Sequence, residues 1–115
     1  MHRTFVAACS LASCLGAGPI AAADTPSAPA ALTIHIKNFM FVPMSATIRA
    51  GDRVTFVNDD DEAHTATSDD KSFDSAGLDS GGTWQHVFAK PGVVTYFCEL
   101  HPYMKARITV LPATR

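Results

Sequence analysis

The feature that most restricts the fold is a succession of short β-type runs separated by glycine, proline or asparagine. In the first run, LTIHI, the residues Leu32, Ile34 and Ile36 share one face of a strand, and Thr33 and His35 share the other. No stretch has the 3.6-residue apolar period of a convincing amphipathic helix. The pattern therefore predicts an all-β domain, built as an antiparallel sandwich or barrel.

The other predicted strands follow from the same pattern of β-formers between turn signals. They are the runs NFMFVP, TI at 47–48, RVTFVN at 53–58, TWQHVF, VVTYFC and ARITV at 106–110. Residues 59–80 are acidic and loop-like, with one short strand near residues 65–67.

The first 23 residues are predicted to be a cleaved export signal rather than part of the fold. A short basic start, His2 and Arg3, precedes an apolar run that ends near residue 20 and is followed by small residues. Ala21 and Ala23 fit the small-x-small rule for cleavage after residue 23. The run is shorter, and richer in alanine and glycine, than a typical membrane-spanning helix. The mature protein is therefore expected in the periplasm.

A second interpretation of the leader stays open. The sequence LASC, which ends at Cys14, has the pattern of a bacterial lipoprotein box, and Cys14 would then become a lipid-modified N-terminus. The apolar run before this cysteine is very short, which favours simple cleavage.

The rest of the chain divides into a flexible tether at 24–31, DTPSAPAA, and one domain at 32–111. Cys9 and Cys14 fall in the leader, so cleavage after residue 23 leaves Cys98 as the sole cysteine. An unpaired thiol in an oxidising compartment is a liability unless something holds it. The formal net charge of −2 and the lack of a basic patch argue against a nucleic-acid partner.

The segment TYFCELHPYM places a thiol, an imidazole and a thioether three residues apart, at Cys98, His101 and Met104. Cys98 ends a strand in which Val94 and Tyr96 are in phase with it, so its side chain is expected to point inward. Two histidines, one cysteine and a weak axial methionine are the donors of a blue-copper electron-transfer site. The segment therefore predicts three of the four ligands of one copper ion.

His64 is the candidate for the second imidazole. It lies in NDDDEAHTATS, after the strand that ends at Asn58, and the two loops meet at one end of the sandwich if this strand neighbours the Cys98 strand. Zinc also accepts cysteine and histidine, but structural zinc sites prefer pairs of Cys-x2-Cys clamps, which this sequence lacks. Of the other histidines, His35 alternates outward on its strand, and His86 is expected to be a hydrogen-bonded histidine in or near the core.

At these residues the chain resembles the cupredoxins, and most closely amicyanin and the small plastocyanin-like blue-copper proteins. The resemblance covers residues 32–110 and rests on NFMFVP, AGDRVTFVNDDDEAHT, FDSAGLDSGGTWQHVF and, most specifically, KPGVVTYFCELHPYM. It implies a Greek-key β-sandwich that holds one copper ion and carries electrons without transforming a substrate. The ligands that the resemblance implies are His64, Cys98, His101 and Met104.

The resemblance also implies how the protein meets its partners. His101, the histidine of the Cys-to-Met loop, would be the electron port to donor and acceptor proteins. It would lie in an apolar patch with Pro102 and Tyr103, and with Pro43 and Met44 nearby. The protein is expected to be a monomer, with no membrane span.

Other residues either fit the family pattern or depart from it. Asn58 matches a family asparagine that would tie the two ligand loops together by hydrogen bonds. Thr65 stands after His64 where amicyanin has asparagine, so hydrogen bonding to the thiolate is expected to differ. His86 replaces an apolar strand residue, and Lys105 begins a pair that replaces the usual glycine-containing pair after the methionine.

Two other functions use related chemistry. A copper carrier or storage protein would use the same ligands, but sites that release metal tend to be exposed, whereas this one is predicted to be closed. An enzyme such as a nitrite reductase needs a second copper centre with additional histidines, and this single domain has too few.

The acidic run at 59–62 is either a solvated loop or a surface that steers a basic partner. Met40 and Met44 are either packing residues or a second copper-loading site.

Overall fold

Strands are the only regular structure in the described residues of this computed structural model, which are 13, 15–18 and 28–113. The eight strands are β1 (Ala31–Lys37), β2 (Met40–Val42), β3 (Ser45–Arg49), β4 (Arg53–Asn58), β5 (Thr67–Ser68), β6 (Thr83–Val87), β7 (Gly92–Phe97) and β8 (Lys105–Leu111). The prediction of an all-β domain is confirmed. The run RVTFVN is β4 residue for residue, and the short strand expected near residues 65–67 is β5.

The strands form two four-stranded sheets, in the orders β2-β1-β4-β6 and β3-β8-β7-β5. The sandwich is confirmed, but the expectation of purely antiparallel pairing is wrong, because β1 pairs with β4 and β3 pairs with β8 in parallel. The reason is the path of the chain. After the β1–β2 hairpin the chain crosses to the second sheet as β3 and returns to the first as β4, which then runs beside β1 in the same direction.

Strands β1 and β4 show how alternation in the sequence fills the core. Ile34 and Ile36 are fully buried, while His35 on the opposite face of β1 is exposed. In the parallel register these two isoleucines lie opposite Phe56 and Asn58, which are also fully buried. The pattern thus carries a polar amide, that of Asn58, into the interior at the end of β4.

The centre of the core is a cluster of aromatic rings around Tyr96 of β7. The Tyr96 ring centroid lies 4.7 Å from that of Phe41, 5.6 Å from that of Phe56 and 6.0 Å from that of Phe73. Among the described residues, the Tyr96 hydroxyl is the one buried side-chain polar group without a hydrogen-bond partner. Burial raises the pKa of this phenol, because the phenolate would lose its hydration.

The first strand begins one residue before the predicted start of the domain. Strand β1 begins at Ala31, the last residue of the predicted tether. Ala30 is also held, since its N–H donates to Asp52 Oδ1 at 2.9 Å and its carbonyl accepts the Arg53 N–H at 3.1 Å. The predicted cleavage site and Cys14 lie outside the described residues. No helix in the described part of the chain is long and apolar enough to cross a membrane.

Tyr96→Phe is expected to leave the free energy of unfolding unchanged or to raise it by about 1 kcal/mol, because it removes a buried hydroxyl without a partner and keeps the ring. Denaturant titration measures the change. Tyr103→Phe, at a ring that is 69% exposed, is the control and should have no effect. A loss of about 1 kcal/mol or more at Tyr96 would contradict the prediction, since it would mean that the hydroxyl has a partner.

Candidate metal centre

Cys98 is placed by strand β7, which ends one residue before it. Val94 is half-buried and both Tyr96 and Cys98 are buried, so the predicted inward phase is confirmed. The loop that follows folds back on itself. The Cys98 N–H donates to the Met104 carbonyl at 3.1 Å, and the Met104 N–H donates to the His101 carbonyl at 2.9 Å. Two backbone hydrogen bonds therefore hold the cysteine, the histidine and the methionine in one tight turn.

His64 reaches the same end of the sandwich from the loop after β4. Its N–H donates to the Leu78 carbonyl at 3.1 Å and its carbonyl accepts the Leu78 N–H at 2.7 Å. Asn58 braces this loop, since Nδ2 donates to the carbonyls of Glu62 (2.7 Å) and Leu78 (2.9 Å) and Oδ1 accepts the Asp60 N–H (3.0 Å). These contacts hold a fully buried imidazole in one place.

The two loops approach each other across the sandwich and not along one sheet. Strand β4 belongs to the first sheet and β7 to the second, so these strands are not neighbours in one sheet. Their ends still meet, because both strands end at the same edge of the sandwich.

Thr65, rather than Asn58, joins the two loops. Its backbone N–H donates to Cys98 Sγ at 3.3 Å, and its Oγ1 accepts the Glu99 N–H at 2.8 Å. The side-chain hydrogen bonds of Asn58 all stay on the His64 side, so the expected role of this asparagine is corrected. Because the donor to sulfur is a backbone group, the change from asparagine to Thr65 leaves that bond in place.

Three donor atoms converge on one point between these loops. His64 Nδ1 lies 3.7 Å from Cys98 Sγ, His101 Nδ1 lies 3.8 Å from the same sulfur, and the two nitrogens are 3.1 Å apart. A point equidistant from the three atoms is about 2.1 Å from each, the length of a metal–imidazole bond. One thiolate and two imidazoles are donors that copper accepts. Within residues 28–113 this is the only such group of histidine, cysteine or acidic side chains.

Burial differs among the predicted ligands. Cys98 and His64 are fully buried and Met104 is 2% exposed, whereas His101 is half-buried. The structure thus brings Met104 into the same buried turn as the cysteine. His101 is the one predicted ligand whose ring reaches the surface.

Asp60 is a residue of the site that the sequence analysis did not single out. Its Oδ2 lies 2.9 Å from His64 Nε2, and its carboxylate accepts the N–H groups of Phe39 (2.9 Å) and Asn38 (2.7 Å). Partial burial opposes ionisation of this carboxyl, but the Phe39 and Asn38 N–H groups and His64 outweigh burial and hold its pKa below the usual value.

The Asp60 contact also favours one tautomer of His64. A carboxylate at Nε2 keeps the imidazole proton on that nitrogen and leaves the Nδ1 lone pair directed at the cluster. The spacing of four residues between Asp60 and His64 is the signal in the sequence that could have found this pair.

The rest of the acidic run has other environments. Asp59 Oδ2 lies 2.6 Å from Nδ1 of His35, and both side chains are partly exposed. Asp61 and Glu62 are exposed. The exposure of Asp61 and Glu62 fits both interpretations of the acidic run, while Asp59 and Asp60 each face a histidine.

His86 lies among aromatic rings, outside the group of donor atoms. Its ring stacks on Trp84, with centroids 5.3 Å apart and planes at 16°, and it contacts Phe73 at 5.1 Å and Phe88 at 4.9 Å. Burial lowers the pKa of His86, because the imidazolium would lose its hydration. Among the described residues, aromatic contacts hold this ring in place of the expected hydrogen bond.

Known proteins similar to this chain carry the same fold. The family model of a cupredoxin-like domain matches residues 4–110. Amicyanin-alpha of Methylorubrum extorquens is 31% identical over 111 residues, which are 91% of this chain and 92% of the relative. A purple cupredoxin from Nitrosopumilus maritimus is 30% identical, with a TM-score of 0.66, and covers 70% of this chain and 99% of its own. The copper-containing nitrite reductase of Thermus scotoductus SA-01 is 31% identical, with a TM-score of 0.67, over 83% of this chain but 25% of its own.

Asp60→Asn is expected to weaken Cu(II) binding roughly 10- to 100-fold, because the neutral amide orients and polarises His64 less than the carboxylate does. Competition against a chelator of known affinity measures the dissociation constant. Asp61→Asn removes the same charge from an exposed neighbour and should change the affinity little. Equal losses in the two variants would mean that the general negative charge matters and the contact with His64 does not.

Proposed function

The chain belongs to the cupredoxin-like family, and from this premise we propose that it is a periplasmic protein that shuttles single electrons between redox proteins. Copper is the cofactor of this family, and the proposed ligands of one ion are His64, Cys98, His101 and Met104. The observation that carries the proposal is the convergence of His64 Nδ1, His101 Nδ1 and Cys98 Sγ on one point. When bound, copper supplies a Cu(II)/Cu(I) couple for electron transfer.

The residues around the proposed ligands prepare each donor atom. The Thr65 N–H donates to the Cys98 sulfur and so holds it beside the two imidazoles. The Asp60 carboxylate orients His64 through Nε2. Met104, buried in the turn that also holds His101, is proposed as the weak axial donor that adjusts the reduction potential.

The loops restrict how far the donor atoms move when the charge at the centre changes. The turn from Cys98 to Met104 is closed by two backbone hydrogen bonds, and Thr65 joins it to the loop of His64. Donors that are already held in place need little rearrangement at the moment of transfer. Such a site supports fast exchange of single electrons between proteins.

His101 is the proposed port for electrons, because it is the half-buried member of the ligand set. Two apolar residues of the same loop are exposed: Tyr103 by 69%, with its ring centroid 6.2 Å from that of His101, and Leu100 by 55%. Exposed apolar residues around a functional group are typical of surfaces that bind other proteins. We propose that electron donor and acceptor proteins dock here, with the exposed acids at 61–62 contributing a negative field.

Two observations support an electron carrier over a copper carrier or an enzyme. The proposed thiolate of Cys98 is fully buried, whereas a site that hands metal to another protein must open its ligands to exchange. The amicyanin relative is similar over nearly its whole length, while the nitrite reductase is similar over a quarter of its own. The periplasmic location follows from the predicted export signal at 1–23.

The mature protein with Cu(II) is expected to show a strong thiolate-to-copper band in the visible spectrum that ascorbate bleaches. Cys98→Ser should abolish the band, and His64→Gln and His101→Gln should abolish or greatly weaken it. His35→Gln and His86→Gln are the matched controls and should keep it, since both side chains lie outside the donor group. A colourless wild-type protein that still binds copper would contradict the proposal and favour a copper carrier.

Met104→Leu is expected to keep the visible band and to raise the reduction potential. The thioether donates weakly to Cu(II), and leucine offers no donor. The substitution therefore destabilises the oxidised state more than the reduced state. Voltammetry of the copper-loaded protein measures the potential. Met44→Leu, at an exposed methionine, is the control. Equal potentials for Met104→Leu and the wild type would remove Met104 from the ligand set.

A further inference from the structure

The two-residue turn between β1 and β2 has a conformation that suits only one of its residues. Asn38 has a φ of 53° and Phe39 a φ of 58°, the left-handed values of a type I′ hairpin turn. Asparagine tolerates this region, but a bulky aromatic residue adopts it rarely, because its Cβ crowds the following carbonyl. Glycine at 39 would avoid this strain, so Phe39 stands at a position where the backbone alone favours glycine.

Asp60 holds the turn in this conformation. Its carboxylate accepts the N–H of Asn38 at 2.7 Å and that of Phe39 at 2.9 Å. The oxygen that accepts from Phe39 is the one that lies 2.9 Å from His64 Nε2. One side chain therefore fixes the turn and the His64 imidazole to each other.

The ring of Phe39 lies edge-on against both imidazoles. Its centroid is 5.2 Å from that of His64, with planes at 90°, and 5.0 Å from that of His101, with planes at 88°. Edge-to-face contacts of this kind are favourable and directional. The neighbouring inward residue, Phe41, is fully buried against Tyr96 and already fills the core at this point. The contacts that distinguish Phe39 are those with the two histidines.

Phe39 also separates the histidines from a cavity at the surface. The cavity has a volume of about 380 Å³, and Met40, Met44, Tyr103 and Met104 line it together with Phe39. Neither His64 nor His101 lines it. The Phe39 ring contacts both imidazoles and also lines the cavity, so it covers the two histidines here, while the proposed ligand Met104 lines the cavity itself.

We propose that Phe39 is a positioning residue of the metal centre. Held by Asp60 in a left-handed turn, its ring fixes the planes of both imidazoles and covers them towards the cavity. The inference rests on the proposed function, since it takes His64 and His101 as copper ligands. Its consequences are slow release of copper and exclusion of small external ligands.

The test compares the copper-loaded wild type with Phe39→Ala, Phe39→Gly and Phe39→Leu. Copper release is measured as the rate at which bathocuproine disulfonate removes Cu(I) from the reduced protein. Access of external ligands to the copper is measured as the change in the visible spectrum of the Cu(II) protein when imidazole is added. The alanine and glycine variants are expected to release Cu(I) about tenfold faster and to bind imidazole, which the wild type excludes. The leucine variant, which keeps apolar bulk without the ring, should fall between.

The metal-free protein gives a readout that needs no copper. Cys98 is fully buried, so its thiol is expected to react slowly with 5,5′-dithiobis(2-nitrobenzoate) in the wild type. Removal of the Phe39 ring should make this reaction several-fold faster, because both histidine rings gain freedom beside the sulfur.

Two control variants distinguish loss of histidine positioning from a general loss of stability and from relief of backbone strain in a turn. Val54→Ala truncates a fully buried side chain opposite His86, away from the centre, and should lower stability without changing copper release. Ala76→Gly relieves another left-handed residue, with a φ of 55° in an exposed loop, and should not change release either. At position 39 itself, the glycine variant should be more stable than the alanine variant, while both release copper quickly.

The outcomes are distinguishable from those of the proposed function. A wild-type protein without a thiolate-to-copper band would refute the proposed function. A blue wild type whose Phe39 variants release copper no faster than Val54→Ala would overturn the inference, since the ring would then act only through stability. Should the two truncations not fold, Phe39→Leu decides, and release at the wild-type rate would overturn the inference.

Discussion

The convergence of three donor atoms at one end of the sandwich is the constraint on which the rest of the structure depends. Two imidazole nitrogens lie 3.1 Å apart, and a sulfur lies within 3.8 Å of both. Such groups repel one another unless a proton or a cation lies between them, so the fold must hold them together by other means. A tight turn holds Cys98, a backbone bridge to Leu78 holds His64, and Thr65 ties the two loops.

The parts of this arrangement that are local in the sequence could be predicted from it. Alternation within a strand decides which face is buried, so the phases of Ile34 and Ile36 in β1 and of Tyr96 and Cys98 at the end of β7 followed directly. The motif from Cys98 to Met104 lies within one turn, so the spacing of its residues in the sequence already places their side chains close together. His64 was predicted from the need for a second imidazole. The expected position was right, although the strand before it lies in the other sheet.

Apart from the pair Asp60 and His64, the contacts that complete the site join distant parts of the chain, and no local pattern encodes them. Asp60 meets Asn38 and Phe39 across 22 and 21 residues, and within its acidic run it looks like any other solvated carboxylate. The turn between β1 and β2 could not be recognised from the sequence. Asn-Gly is the usual signal of a type I′ hairpin, and here phenylalanine follows Asn38. The parallel strand pairs could not be predicted for a similar reason. Alternation shows which face of a strand is buried but not which strand lies beside it.

An electron carrier has to retain its metal and still let electrons pass, and the proposed arrangement assigns these tasks to different sides of the site. Cys98 and His64 are fully buried and bound on several sides, while His101 is half-buried beside exposed apolar side chains. An ion can leave only if donors separate and a path opens, whereas an electron needs only close contact with a partner at the edge of a ring. In the role proposed for it, the Phe39 ring, which packs against both imidazoles and lines the cavity, opposes the first process and leaves half-buried His101 available for the second.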